Sequence, residues 1–212
     1  MESDFWHKRW EDDHIPFHEG KPNTLLVRHL GVLNLDKTAR LFIPLFGKTK
    51  DFDWLMAQGY RTVGAELSEI AIQQLFAELK TTPEISTVGT HKLYSADNID
   101  IFVGDIFELS SDMLGSVDAI FDRAAMVAMP ASMRQPYVTQ VANISKNAPQ
   151  LLTCFEYDQS LLDGPPFDVK QAEVEDLYRG LYDVSLVERV PIRGGLKGKC
   201  PADAALWKLS PS

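Results

Sequence analysis

Two cysteines in 212 residues, Cys154 inside an apolar run and Cys200 beside Pro201, make neither a disulfide framework nor a C-x-x-C pair. That excludes a disulfide-stapled scaffold and a zinc ribbon, and it suits a reduced, cytoplasmic setting. No apolar run approaches the roughly 18 residues of a membrane helix, and the opening MESDFWHKRWEDD is too charged for a signal peptide. Basic charge is scarce too. Against 30 Asp and Glu stand 21 Lys and Arg, a net charge of −9, which argues against nucleic acid as a partner. His7, His14 and His18 have no accompanying carboxylate or cysteine ligand set, and Pro16 keeps the last two off one helical face, so no metal site is expected. With 45% hydrophobic and 24% charged residues, the chain suits one soluble domain over residues 1–212, expected to be a monomer with a small-molecule partner.

Glycine is also missing from the place where a dinucleotide site would need it. The run Leu41-Phe42-Ile43-Pro44-Leu45 has the length and residue types of a buried strand, and Gly47-Lys48 turns the chain. Phe52, Leu55 and Met56 then share one face of a short helix ending at Gly59. A second apolar run, Thr62–Ala65, delivers Glu66 about 20 residues past the turn, where nucleotide-binding α/β folds put a carboxylate on ribose hydroxyls. The turn itself reads P-L-F-G-K-T, with neither G-x-G-x-x-G nor a P-loop. A ligand with a ribose but no phosphate fits, and S-adenosylmethionine is one: Glu66 would take the ribose, and the turn at Leu45 and Gly47 the amino-acid end. An exposed acid capping the next helix accounts for Glu66 equally well.

These residues also carry a resemblance. PLFGKTKDFDWLMAQGYRTVGAELSEIAIQQLF, with FWHKRWEDDHIPFH before it and FDRAAMVAMP and YDQSLLDGPPF after it, resembles the thiopurine S-methyltransferase family from Trp6 to about Phe167. The resemblance implies S-adenosylmethionine as cofactor and a doubly wound, Rossmann-like α/β sheet of seven strands, the last inserted antiparallel. It implies that residues 1–35 form a cover over the 36–212 core, with Trp6 and Trp10 near the cofactor and Phe17 lining the acceptor pocket. It also implies that the pair Asp105–Ile106 reaches the adenine, and that the stiff loop Asp163–Phe167, with Pro166 and Phe167, stands at the acceptor mouth.

The residues themselves say the following of those positions. A helix through Phe5–Asp13 puts Trp6 and Trp10 on one face, for packing or for a lid. Thr24–Leu35 reads as an amphipathic helix broken near Gly31, Ser68 as an N-cap, and Thr81–Asp97 as a surface excursion leading into an extended pair, Lys92–Tyr94 and Ile99–Val103, turned at Asp97-Asn98. Asp105 suits an N-cap on the next turn as well as a ligand contact. Val117–Arg123 is a buried strand ending in Asp122 and Arg123. Strand neighbours face opposite ways, which favours Arg123 in the crevice over a salt bridge between the two. Met126, Val127, Met129 and Pro130 give an adaptable apolar wall. A helix over 132–147, a strand Pro149–Tyr157, a helix Val169–Leu181, a strand Asp183–Val190 and a short strand Ala205–Leu209 complete the chain. The Gly-rich connection holding Arg193, Lys197 and Lys199 departs from vertebrate members of the family, leaving open which of these cations stands near the acceptor.

The expected enzyme is an S-adenosylmethionine-dependent thiopurine S-methyltransferase, methylating aromatic or heterocyclic thiols. It would have no dedicated nucleophile: Arg123 would favour a thiolate and bind the acceptor or the cofactor carboxylate, and Phe17, Met126 and Phe167 would supply apolar walls. Three rivals stand beside it: a methyltransferase for halide, thiocyanate, selenium or tellurium species, a nicotinamide-dependent oxidoreductase, and a non-catalytic cofactor-binding module.

Overall fold

The computed structural model describes residues 3–12 and 20–212. Expectations that rest on Phe17, His14 and His18 lie outside the described residues. In chain order, α1 (Ser3–Glu11) and α2 (Thr24–His29) precede β1 (Arg40–Pro44), α3 (Asp51–Ala57), β2 (Arg61–Glu66) and α4 (Glu69–Leu79). A hairpin of β3 (Glu84–Val88) and β4 (His91–Ala96) leads to β5 (Ile99–Val103), then α5 (Ser111–Leu114), β6 (Ala119–Asp122), α6 (Ala125–Ala128), α7 (Ala131–Ser145) and β7 (Gln150–Tyr157). α8 (Gln171–Leu177), β8 (Tyr182–Pro191) and β9 (Ala202–Pro211) close the chain. Among the described residues no helix is long and apolar enough to cross a membrane.

All nine strands join one sheet in the order β3-β4-β5-β2-β1-β6-β7-β9-β8. The central five, β5 to β7, are parallel, and β9 runs antiparallel between β7 and β8. Seven of the strands form the expected doubly wound sheet with its late antiparallel insertion. The strand count is corrected to nine, because β3 and β4 extend the β5 edge. Residues 84–88 gave no sign of this in sequence: β3 is exposed along nearly its whole length, so no face of it had to be apolar. The expected terminal strand also grows to ten residues, while α8 is shorter than the expected helix.

Alternation along the central strands builds two cores. Phe42, Val63, Phe102, Ile120 and Leu152 pack on one face with α7 and α8, through Tyr137, Val141 and Val174. Their neighbours Leu41, Ile43, Ile101, Phe121 and Leu151 pack on the other face with Leu26, Phe52 and Ile72 from α2, α3 and α4. A sheet covered on both faces needs apolar residues at every central position, which is why β1 and β6 read as unbroken apolar runs. Strand order reverses between β1 and β6, and an open α/β sheet leaves its crevice at the carboxyl ends of the strands beside such a reversal.

The segment after β1 is shaped for that crevice. Leu45 has φ 45° and Gly47 φ 66°, a left-handed conformation that Leu adopts only under constraint. The Leu45 N–H donates to the Ala65 carbonyl at 2.7 Å, and the Phe46 ring folds back over Gly64, where an added Cβ would lie 2.3 Å from it. Gly64→Ala should therefore displace Phe46 and the turn with it, lowering stability by about 1–3 kcal/mol in urea denaturation; unchanged stability would mean that the turn tolerates a displaced ring.

Candidate active site

Glu66 ends β2 as a residue only 5% exposed, and three backbone donors converge on its carboxylate. The Gly47 N–H reaches Oε2 at 2.8 Å, and the Leu67 and Ser68 N–H groups reach Oε1 at 2.9 and 3.0 Å. Burial pushes the carboxyl's pKa up, and the N–H groups of Ser68, Gly47 and Leu67, then the charge of His7, oppose that rise. An ionised carboxylate offers about four acceptor sites. The three backbone donors leave it capacity toward the cavity it lines. The helix-cap reading of Glu66 is thus set aside: Ser68 caps α4, accepting from the Ala71 N–H.

The cavity has a volume of about 390 Å³ and lies at the crevice of the sheet. Of the residues singled out from sequence, Trp6, Trp10, Leu45, Gly47 and Glu66 line it, as do Asp105, Ile106, Arg123 and Pro166. Asp105 lines the cavity and, as its N-cap reading expected, accepts from the Phe107 N–H at 3.0 Å. Its loop is held from below by His91 of β4, whose Nε2 hydrogen-bonds the Asp105 carbonyl at 3.0 Å. Trp10 is buried in one cluster with α2, α3 and α4 residues while lining the cavity.

Two expectations are corrected. Met126 is fully buried in the core and does not line the cavity; Val127, Met129 and Met133 face it instead, because the short α6 turns Met126 inward against α7. Phe167 does not line it either. Its ring occupies the space beside Gly164, where a Cβ would meet it at 2.5 Å, and its N–H donates to the Val127 carbonyl. Pro165 and Pro166 form the wall, pinned by the Tyr157 hydroxyl donating to the Pro166 carbonyl at 2.7 Å.

The expected strand Val117–Arg123 is shortened to Ala119–Asp122, so Arg123 lies on the bend just past β6, where it lines the cavity, while Asp122 is fully buried. The Tyr137 hydroxyl donates to Asp122 Oδ2 at 2.7 Å and the Met126 N–H to Oδ1 at 3.2 Å. Burial raises the Asp122 carboxyl to about 6 against this hydrogen bonding. The sequence reading passed over Arg9, Phe46, Met133 and Phe155, all of which line the cavity. Arg9 was within reach of the helical spacing that paired Trp6 with Trp10, being three residues from the former. Lys197 is the cation of the Gly-rich connection that lines the cavity; Arg193 and Lys199 do not.

A methyl donor built on adenosine fits these residues: a buried carboxylate with spare acceptor capacity, a left-handed turn beside it, an apolar floor and a cation next to them. A family model described as thiopurine S-methyltransferase matches residues 1–198. The chain is 51% identical over 210 residues to a thiopurine S-methyltransferase of Xanthobacter autotrophicus, covering 99% of each. It is 47% identical over 210 residues to one of Teredinibacter turnerae, covering 99% of this chain and 98% of the other. Similar solved structures include the 1,6-didemethyltoxoflavin-N1-methyltransferase of Burkholderia thailandensis with bound S-adenosylhomocysteine (TM-score 0.64, 13% identity, 98% of this chain and 87% of that one). Another is the magnesium protoporphyrin IX methyltransferase of Synechocystis (TM-score 0.64, 11% identity, 99% and 100%). Fold, site and relatives together define an S-adenosylmethionine-dependent methyltransferase. Within that class, the chain belongs to the thiopurine S-methyltransferase family.

Removing the Glu66 carboxylate should weaken the cofactor site. For Glu66→Ala the dissociation constant of S-adenosylhomocysteine is expected to rise about 10- to 100-fold by calorimetry, and an unchanged value would displace Glu66 from the site. Asp122 gives a pH signature of defined sign. The native carboxyl keeps its proton to about pH 6, against 3.8 ordinarily, so the folded state binds more protons in between and stability falls as pH rises through that window. Relative to Asp122→Asn, the wild type should lose up to about 3 kcal/mol between pH 4 and pH 7 in urea titrations, whereas a flat difference would mean that the carboxyl titrates normally.

Proposed function

We propose that this methyltransferase acts on the sulfur of aromatic and heterocyclic thiols. The observation that carries the reading is what lines the acceptor end of the cavity: Val127, Met129, Met133, Phe155 and Pro165, with Arg123 beside them. No Ser, Tyr, Cys or His is among the described residues lining the cavity. Glu66 and Asp105, at and just past the ends of β2 and β5, belong to the cofactor half in this reading, so neither serves as a general base. An alcohol or amine acceptor would need such a base. An aromatic thiol ionises unaided and needs only to be held. The names of the relatives support the same acceptor class.

S-adenosylmethionine, when bound, supplies an electrophilic methyl group on a sulfonium sulfur. The chain's own residues bind and orient. Glu66 would take ribose hydroxyls, the Asp105–Phe107 turn would border the adenine, and Trp6 and Trp10 of α1, which line the pocket, would cover it. Arg123 attracts the thiolate electrostatically or holds the cofactor carboxylate, and the apolar wall keeps water from the reacting sulfur. Rate then comes mainly from near-attack geometry in a dry pocket.

The test is methyl transfer measured on thiophenol and 6-mercaptopurine against iodide. Turnover of the thiols with little on iodide is expected, and methylation of iodide alone would overturn the reading. Arg123→Met should lower kcat/KM for the thiols by about 10- to 100-fold, with Arg123→Lys recovering part of it. Equal activity of all three proteins would remove Arg123 from the acceptor's recognition.

A further inference from the structure

Three side chains on one stripe of α7 reach different parts of the site. Met133, Tyr137 and Gln140 are spaced four and three apart, which stacks them on a single helical face. Met133 lines the cavity itself. Tyr137, fully buried, donates its hydroxyl to Asp122 Oδ2 at 2.7 Å. Gln140 donates from Nε2 to the carbonyls of Ile106 and Leu109, at 2.7 and 2.8 Å.

Through Asp122 the Tyr137 contact continues to a wall that cannot hold its place alone. α6 has four residues, too few to be stable in isolation, and Ala124 at its N-cap gives the first-turn amides no side-chain acceptor. Asp122 supplies one, taking the Met126 N–H on Oδ1 at 3.2 Å. Met126 packs inward, while Val127, Ala128 and Met129 of that same turn line the cavity. The two oxygens of one carboxylate thus join the turn that carries Val127 and Met129 to the helix that carries Met133. Gln140 acts elsewhere. The turn it holds carries Ile106 and Phe107, which line the cavity beside Asp105. Asp122, Tyr137 and Gln140 do not line the cavity themselves, so what they contribute is placement.

We propose that α7 positions the two halves of the site separately: Tyr137, acting through Asp122, sets the wall made by α6 and Met133 against the acceptor, and Gln140 sets the Ile106–Phe107 turn against the cofactor. This rests on the reading above, in which α6 faces the acceptor. Each contact ends on a different segment, so loosening one leaves the other anchored. All three are positioning residues.

The test is a double dissociation on one helix. For Tyr137→Phe, the KM of thiophenol at saturating S-adenosylmethionine should rise about tenfold, with the S-adenosylhomocysteine dissociation constant within about twofold by calorimetry. For Gln140→Leu that dissociation constant should rise about tenfold, with the thiophenol KM within about twofold. Asp122→Asn should follow Tyr137→Phe, and the two together should fall within about twofold of the worse single variant, since both break one link. Melting temperatures establish that each variant is folded. A helix that is merely destabilised moves both constants together, so equal losses in either variant, or no change in either constant, would overturn the proposal. The wall is also read without an acceptor, by NMR of methyl-labelled methionine. Met129 and Met133 signals should shift in Tyr137→Phe and stay in place in Gln140→Leu. If the wild type methylates no thiol while these signals move in this way, the thiol reading fails and the positioning of the wall stands; signals unmoved in Tyr137→Phe would overturn it.

Discussion

One buried carboxylate ties together the two loops that make this crevice. Glu66 accepts from Gly47 on the turn after β1 and from Leu67 and Ser68 on the turn after β2, so neighbouring strands end in a single hydrogen-bonded unit. The arrangement is costly in isolation, since a buried carboxylate loses its hydration. It holds because backbone amides replace that water and because the left-handed residues Leu45 and Gly47 bring the Gly47 amide into place. The same contacts therefore hold the turn and oppose the rise that burial gives the acid's pKa.

The rest of the site follows from where the sheet reverses. Beside the reversal between β1 and β6, Asp122 at the end of β6 turns to the core and to Tyr137, and Arg123 on the bend that follows lines the crevice. The added hairpin is more than an extended edge. It brings His91 beneath Gly104, with its ring in the space a Cβ would need and its Nε2 on the Asp105 carbonyl, so a strand outside the seven-stranded core braces the Asp105 loop of the cavity.

Part of the cavity wall comes from segments distant in sequence. α1, the Pro165-Pro166 loop and the Leu196–Lys197 connection converge over α6 and the start of α7. Their joints are polar contacts: Tyr157 to Pro166, Phe167 to Val127, and Lys197 to Pro165. Such contacts fix an apolar pocket without putting a reactive side chain in it, as suits a reaction whose partners need only to be aligned.

The amino-acid sequence alone determined the pattern of buried strands, the single-glycine turn, the acid 19 residues on, and the charged pair Asp122-Arg123 at the end of a buried strand. These are local features, since burial on both faces and a two-residue side-chain period write themselves directly into the chain. The sequence did not distinguish Met126 from Val127, Met129 and Met133, because apolar residues crowded into a short helical turn look alike until a partner surface chooses among them. Nor did it separate Lys197 from Arg193 and Lys199, or show that β3 extends the sheet, because an exposed strand and a glycine-rich loop carry no periodic signal. Those assignments were decided by tertiary contacts such as the Lys197 ammonium on the Pro165 carbonyl, which join residues with no relation in sequence.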